Sequence, residues 1–115
     1  YAKVGVRNAM VIAVATACLV VDEPERRVAV ALGSVGPTIL RCPEAEAAFA
    51  AAIDWSSMTA PAEALAAFGA QVAATARPIT DHRSSADYRR HAVGVLAQRL
   101  ARRALAAGPS GKVAA

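Results

Sequence analysis

Val11-Ile12-Ala13-Val14-Ala15-Thr16-Ala17-Cys18-Leu19-Val20-Val21 is an apolar run rich in β-branched residues, and it stops at Asp22-Glu23-Pro24-Glu25. Arg27-Val28-Ala29-Val30-Ala31-Leu32-Gly33 follows directly. Two such runs joined by a short polar turn predict an antiparallel hairpin. Neither run alternates cleanly between apolar and polar, so both strands are expected to be covered, at least partly, on each face. The longer apolar stretch, Ala9 to Val21, is too short for a membrane helix, which needs about 20 residues.

Working outward, Gly33-Ser34-Val35-Gly36-Pro37 breaks the second strand, and Thr38-Ile39-Leu40-Arg41 fits a short third one. The character then changes. Pro43 suits a first helical turn, and Glu44 and Glu46 suit the positive end of its dipole. This helix is expected to run to about Ile53, with Phe49 as its bulky contact. Asp54-Trp55-Ser56-Ser57-Met58 has loop character, and Trp55 and Met58 fit a partner surface and packing over the core equally well. Thr59 is the expected N-cap of a second helix, with Pro61 and Glu63 in its first turn. Leu65, Phe68, Val72 and Ala76 give that helix a buried stripe, and Arg77-Pro78 ends it. After a polar connector over 79–83, Ser84 or Ser85 caps a third helix that runs to about Ala107 and stops at Gly108-Pro109. Tyr88, Ala92, Leu96 and Leu100, with Val93, Ala104 and Leu105, form its expected apolar face. Arg89, Arg90, Arg99, Arg102 and Arg103 form the other. Residues 109–115 are expected as a flexible tail, leaving 1–108 as one domain.

Strands first and helices after predict an α+β fold: a small three-stranded antiparallel sheet covered on one face by a three-helix layer. The 115 residues suit one domain and suffice for a core without metals or bridges. Apolar residues make up 56% and aromatics only 4%, so Ala, Val, Leu and Ile must build that core. The chain opens on Tyr1 without a recognisable signal peptide, and its start reads as a cut end. Cys18 and Cys42 match no metal-ligand spacing. A disulfide fits them, but with no secretory signal two buried thiols in a reducing compartment are the simpler reading. A cytoplasmic location follows from the same argument.

Catalytic chemistry is mostly missing. The Gly33–Gly36 turn lacks the spacing of a phosphate-binding loop, and Pro37 follows where a helix would have to begin. His82 and His91 are the only histidines, and neither has a cysteine near it, so no metal cluster is expected. Asp81-His82 beside Ser84-Ser85 reads as a capping loop, since adjacent residues rarely reach triad geometry. Asp22, Glu23 and Glu25 read as solvated turn charges. The net charge of +4 permits a nucleic-acid or acidic partner without requiring one. The arginine-bearing third helix is the best nucleic-acid candidate, but aromatics to stack bases are few. A stand-alone domain that dimerises through a sheet edge or the arginine-bearing helix is a further alternative.

Three segments carry a resemblance. They are Tyr1-Ala2-Lys3-Val4-Gly5-Val6-Arg7-Asn8-Ala9-Met10, Leu32-Gly33-Ser34-Val35-Gly36-Pro37-Thr38, and Arg83-Ser84-Ser85-Ala86-Asp87-Tyr88-Arg89-Arg90-His91. In this order and spacing, over residues 1 to about 107, they resemble the C-terminal domain of the FAD-binding subunit of molybdenum hydroxylases, the xanthine and carbon monoxide dehydrogenase family. The resemblance implies an accessory domain of a multi-subunit oxidoreductase that is not catalytic by itself. It implies FAD held mainly by a preceding domain, and molybdenum cofactor and 2Fe-2S clusters in partner subunits, with neither nucleic acid nor membrane as a partner. Electrons would pass from the molybdenum centre through the clusters to FAD, and this domain would close over one side of the flavin.

The implied cofactor-binding residues are Lys3, Arg7 and Ile12. Lys3 matches the lysine of the family's aromatic-x-Lys start, near the flavin; by itself it reads as a solvated lysine at a chain end. Arg7 matches the second arginine of a Gly-Arg-Arg segment, but Val6 stands where the first would be, so a role needing paired arginines does not transfer. Ile12 falls where the first strand of relatives approaches the flavin, and a core strand residue is the equal alternative. Val14 stands where some relatives carry a lysine, whose role does not transfer either. Ser85, Tyr88, Arg89 and Arg90 look structural, with Tyr88 packed and the arginines outward.

Overall fold

A computed structural model describes residues 1–4, 15–80 and 85–106, together with the backbone of 113–114. The expected α+β order holds. The strands are β1 (Ala2–Val4), β2 (Ala15–Asp22), β3 (Arg27–Gly33), β4 (Leu40–Arg41) and β5 (Val113–Ala114). The helices are α1 (Pro43–Ala52), α2 (Ala62–Thr75) and α3 (Ala86–Ala106). The sheet is antiparallel in the order β1-β2-β3-β4, and β5 also pairs with β2. β1 and β5 extend the three-stranded expectation: a three-residue and a two-residue strand are too short to show any period. Two residues of the expected tail thus lie in the sheet. Residues 11–14, expected to begin the first strand, lie outside the described residues.

β2 and β3 pair from Thr16↔Gly33 to Asp22↔Arg27. Along β2, Ala15, Ala17, Leu19 and Val21 are buried, while Thr16, Cys18, Val20 and Asp22 are half-buried. The helices therefore bury one face of the sheet, as expected, and the other face is partly covered along β2 and β3, in line with the at least partial cover on each face expected from the unbroken apolar runs. Small apolar residues on the outer face hid the alternation that a polar face would have shown.

The inner face meets the helices, α3 lying against β2, α1 against β3, and α2 on both helices. Phe49 of α1 stacks on Phe68 of α2 with ring centroids 4.8 Å apart, which places the two buried aromatic rings at one junction. Gly69 of α2 and Gly94 of α3 let these helices touch backbone to backbone. A methyl group on Gly94 would lie 2.8 Å from the Gly69 carbonyl oxygen.

Three local readings change. Pro61, in extended conformation, is the N-cap of α2, and its carbonyl accepts from the Ala64 and Leu65 amides. Thr59 instead pairs with Asp54 through two backbone hydrogen bonds of 2.7 and 3.2 Å. The loop between them closes on the Asp54 carboxylate, which accepts from the Ser56 hydroxyl and amide and from the Ser57 amide. Those donors hold the Asp54 carboxyl below its usual range, the Ser56 hydroxyl foremost. Met58 is buried and the Trp55 indole donates to the Ala50 carbonyl at 3.0 Å, so both pack over the core.

The third change concerns α3. Tyr88 was expected on its apolar face, but it is 50% exposed, and Arg89 is 3% exposed. The buried stripe runs through Val93, Leu96, Ala97, Leu100, Ala101 and Ala104. Traced back one turn, it meets position 89 rather than 88. The long aliphatic stem of Arg89 fills the place a hydrophobic residue would take. Ser85 does cap this helix, its hydroxyl accepting from the Tyr88 amide at 3.1 Å.

Candidate functional site

Two clusters of polar groups lie around β3. One is its open edge. β4 contributes only Leu40 and Arg41 to the sheet, so Val30 lacks a neighbouring strand on that side. The carboxylate of Glu46, from the first turn of α1, takes the strand's place by accepting from the Val30 amide at 3.0 Å. Arg41 grips the same carboxylate with two donors, Nε and Nη2, each at 2.9 Å. Burial works to raise the Glu46 pKa. The Arg41 guanidinium and the Val30 and Cys42 backbone amides outweigh it, so the net shift is downward. The helix dipole alone does not account for Glu46, in contrast to the sequence reading. Nearby, Cys42 is buried at the start of α1 and Cys18 lies half-buried on β2, both as free thiols. Burial pushes the Cys42 thiol up, which keeps it protonated and unreactive at neutral pH.

The other place is the end of β3. Lys3, Thr16 and Gly33 form one cross-strand row through β1, β2 and β3. Directly paired residues share a face. Ala15 and Ala17 point to the helices, so this row lies on the other face, where Thr16 is half-buried and Gly33 buried. Lys3 is exposed, and no described carboxylate lies within ion-pair distance of it. Thr16 and Gly33 touch so closely that a methyl group on Gly33 would run into Thr16 Oγ1. Ile39 folds back beside Gly33 yet leaves 69% of its surface open.

The turn that follows Gly33 is held from both neighbouring helices. Ser34 has φ of 64°, in the left-handed region that disfavours a side chain. Its carbonyl accepts from Arg89 Nη1 of α3 at 3.0 Å. The next carbonyl, Val35, accepts from the Arg77 amide just past α2 at 2.6 Å. Val35 itself is buried, and it anchors the turn in the core. Arg77 Nη1 closes the end of α2 by donating to the carbonyls of Ala74, Thr75 and Ala76.

Of the sequence-predicted site residues, Lys3 lies at this end of the sheet, while Arg7 and Ile12 lie outside the described residues. Lys3 of the opening segment shares a cross-strand row with Gly33, and Arg89 of the third segment binds the turn that follows Gly33. Sequence reasoning missed Glu46 and Arg89, because the helix dipole already accounts for an acid in a first helical turn, and an arginine beside arginines reads as facing outward. No group of three potential metal ligands occurs among the described residues. No helix among them is long and apolar enough to cross a membrane.

A protein-family model described as the CO dehydrogenase flavoprotein C-terminal domain matches residues 1–104. No curated protein and no solved structure matches the chain.

Proposed function

The chain belongs to the CO dehydrogenase flavoprotein C-terminal domain family, and from that premise we propose that it serves as the accessory C-terminal domain of the FAD-binding subunit of a molybdenum hydroxylase. On this reading, the Lys3–Thr16–Gly33 end of the sheet closes over one side of a flavin bound mainly by a preceding domain. Molybdenum cofactor and iron–sulfur clusters belong to partner subunits.

One observation carries the reading: Lys3 of the opening segment stands exposed in one row with Thr16 and Gly33, and the turn after Gly33 is tied to Arg89 of the third segment. The residues fit contact with a ring edge rather than a grip on a dinucleotide. They offer a cation, a hydroxyl and a backbone turn, and the turn has no phosphate-cradle spacing. FAD supplies the capacity to take up electrons and pass them on. The chain's own contribution is electrostatic and steric. An ammonium at Lys3 stabilises negative charge on a nearby reduced ring more than it does the neutral oxidised one. The face of the sheet turned away from the helices excludes water from that side.

The test is Lys3→Gln in the flavoprotein that carries this chain. Loss of the cation shifts the flavin midpoint potential to more negative values, and Lys3→Arg keeps it near the parent value. A potential that is the same in both variants and the parent contradicts the proposal.

A further inference from the structure

Arg89 is one of the two buried charged residues among those described. Placing a guanidinium inside a fold is unfavourable unless its donors are used. The donation seen here crosses the fold, from the first turn of α3 to the carbonyl of Ser34, 55 positions earlier in sequence. Ser34 holds a backbone conformation that its side chain disfavours, and the very next carbonyl is taken by the Arg77 amide. Two adjacent carbonyls are thus fixed from two different helices. The turn they belong to starts at Gly33, which is wedged against Thr16 in the same row as Lys3.

We infer that Arg89 is a positioning residue for the Lys3 end of the sheet. It locks the 33–37 turn to α3 and so fixes how Gly33 and the exposed Ile39 sit beside Thr16. Lysine is a poor substitute, because a single ammonium on a flexible stem lacks the rigid fork of arginine. Arg90, next along the helix, does not share the task. It pairs locally with Asp87 at 3.4 Å and stays partly exposed. The functional meaning of the lock rests on the proposal above, but the lock itself does not.

The experiment measures amide exchange in the flavoprotein carrying this chain, as the parent, Arg89→Met and Arg89→Lys. The informative amide is that of Arg77, which can exchange only when it lets go of the Val35 carbonyl. Arg89→Met, which keeps the stem and removes the donors, accelerates exchange at Arg77 and Gly33 at least tenfold. Arg89→Lys does so to a smaller degree. Amides around Phe49 of α1 and Phe68 of α2 keep their parent rates in both. Unchanged exchange at Arg77, or acceleration of equal size throughout the domain, overturns the inference. If Arg89→Met does not fold, Arg89→Lys decides by the same criterion. The flavin absorbance of the same samples separates the two proposals. A loosened turn with an altered flavin band supports both. A loosened turn with an unaltered band upholds the lock and counts against the placement of the flavin at this end.

Discussion

The two sides of β3 solve the same problem in opposite ways. At its open edge a strand amide lacks a partner, and one carboxylate from a neighbouring helix fills the gap, with Arg41 close at hand in sequence. At its end, two turn carbonyls are held by groups 55 and 42 positions away, since Arg89 serves Ser34 and Arg77 serves Val35. The edge is a local repair that completes the sheet. The end is a long-range tie that sets the place of an exposed turn. The difference teaches where stability and position part company. A buried charge that satisfies a strand amide protects the core, whereas one that reaches a surface turn mainly fixes geometry.

The largest effect expected is at the edge. Glu46→Ala leaves the Val30 amide unpaired under α1 and strands Arg41, at a cost of about 2–4 kcal/mol of folding stability in urea unfolding. Most of that comes from the buried amide, because Arg41 is itself well exposed and solvent screens its charge. A loss below about 1 kcal/mol would mean that the edge needs no carboxylate and that the contrast with the turn fails.

Next comes the turn. Gly33→Ala drives a methyl group into Thr16 Oγ1 and costs about 1–3 kcal/mol, as overpacking usually does. Thr16→Ala in the same chain makes room and restores a large part of the loss. A double-mutant cycle that shows simple additivity would deny the contact between the two strands at this end.

The smallest effect is the pH dependence of the edge. A carboxyl whose folded pKa lies below its unfolded one binds more protons when unfolded, so stability rises with pH. The contribution of Glu46 is therefore complete above the ordinary glutamate value of about 4.3 and is lost as pH falls through the lowered value in the fold. In acid titrations of stability, Glu46→Gln should show a shallower loss than the parent in that window. Equal slopes would remove the charge from the account of the edge and leave only its hydrogen bond.

Much of the fold was legible because its main elements carry strong patterns. The hairpin shows in two β-branched runs around a prolyl turn, and α2 shows in Leu65, Phe68 and Val72 at helical spacing. The ends of elements were less so. Pro61 took the cap expected of Thr59, because Asp54 had drawn Thr59 into its own loop. The candidate site was legible only as three motifs, not as one place. Lys3, Gly33 and Arg89 are far apart in sequence, and only the strand register and the phase of α3 bring them together. Arg89 was hidden by its own chemistry, since a charged side chain among arginines carries no sign of burial. Its stem shows only when the stripe of Val93 and Leu96 is traced back one turn.

The proposed placement of the flavin beside the Lys3 end of the sheet is tested most directly by a protection footprint. Amide exchange of the flavoprotein carrying this chain is compared with FAD bound and with FAD removed. Slower exchange with FAD, concentrated in residues 2–4, 15–17 and 33–38 while α1 and the Glu46 edge stay unchanged, is the result expected. Protection that spares those three segments, or falls instead on the Glu46 edge, would contradict it.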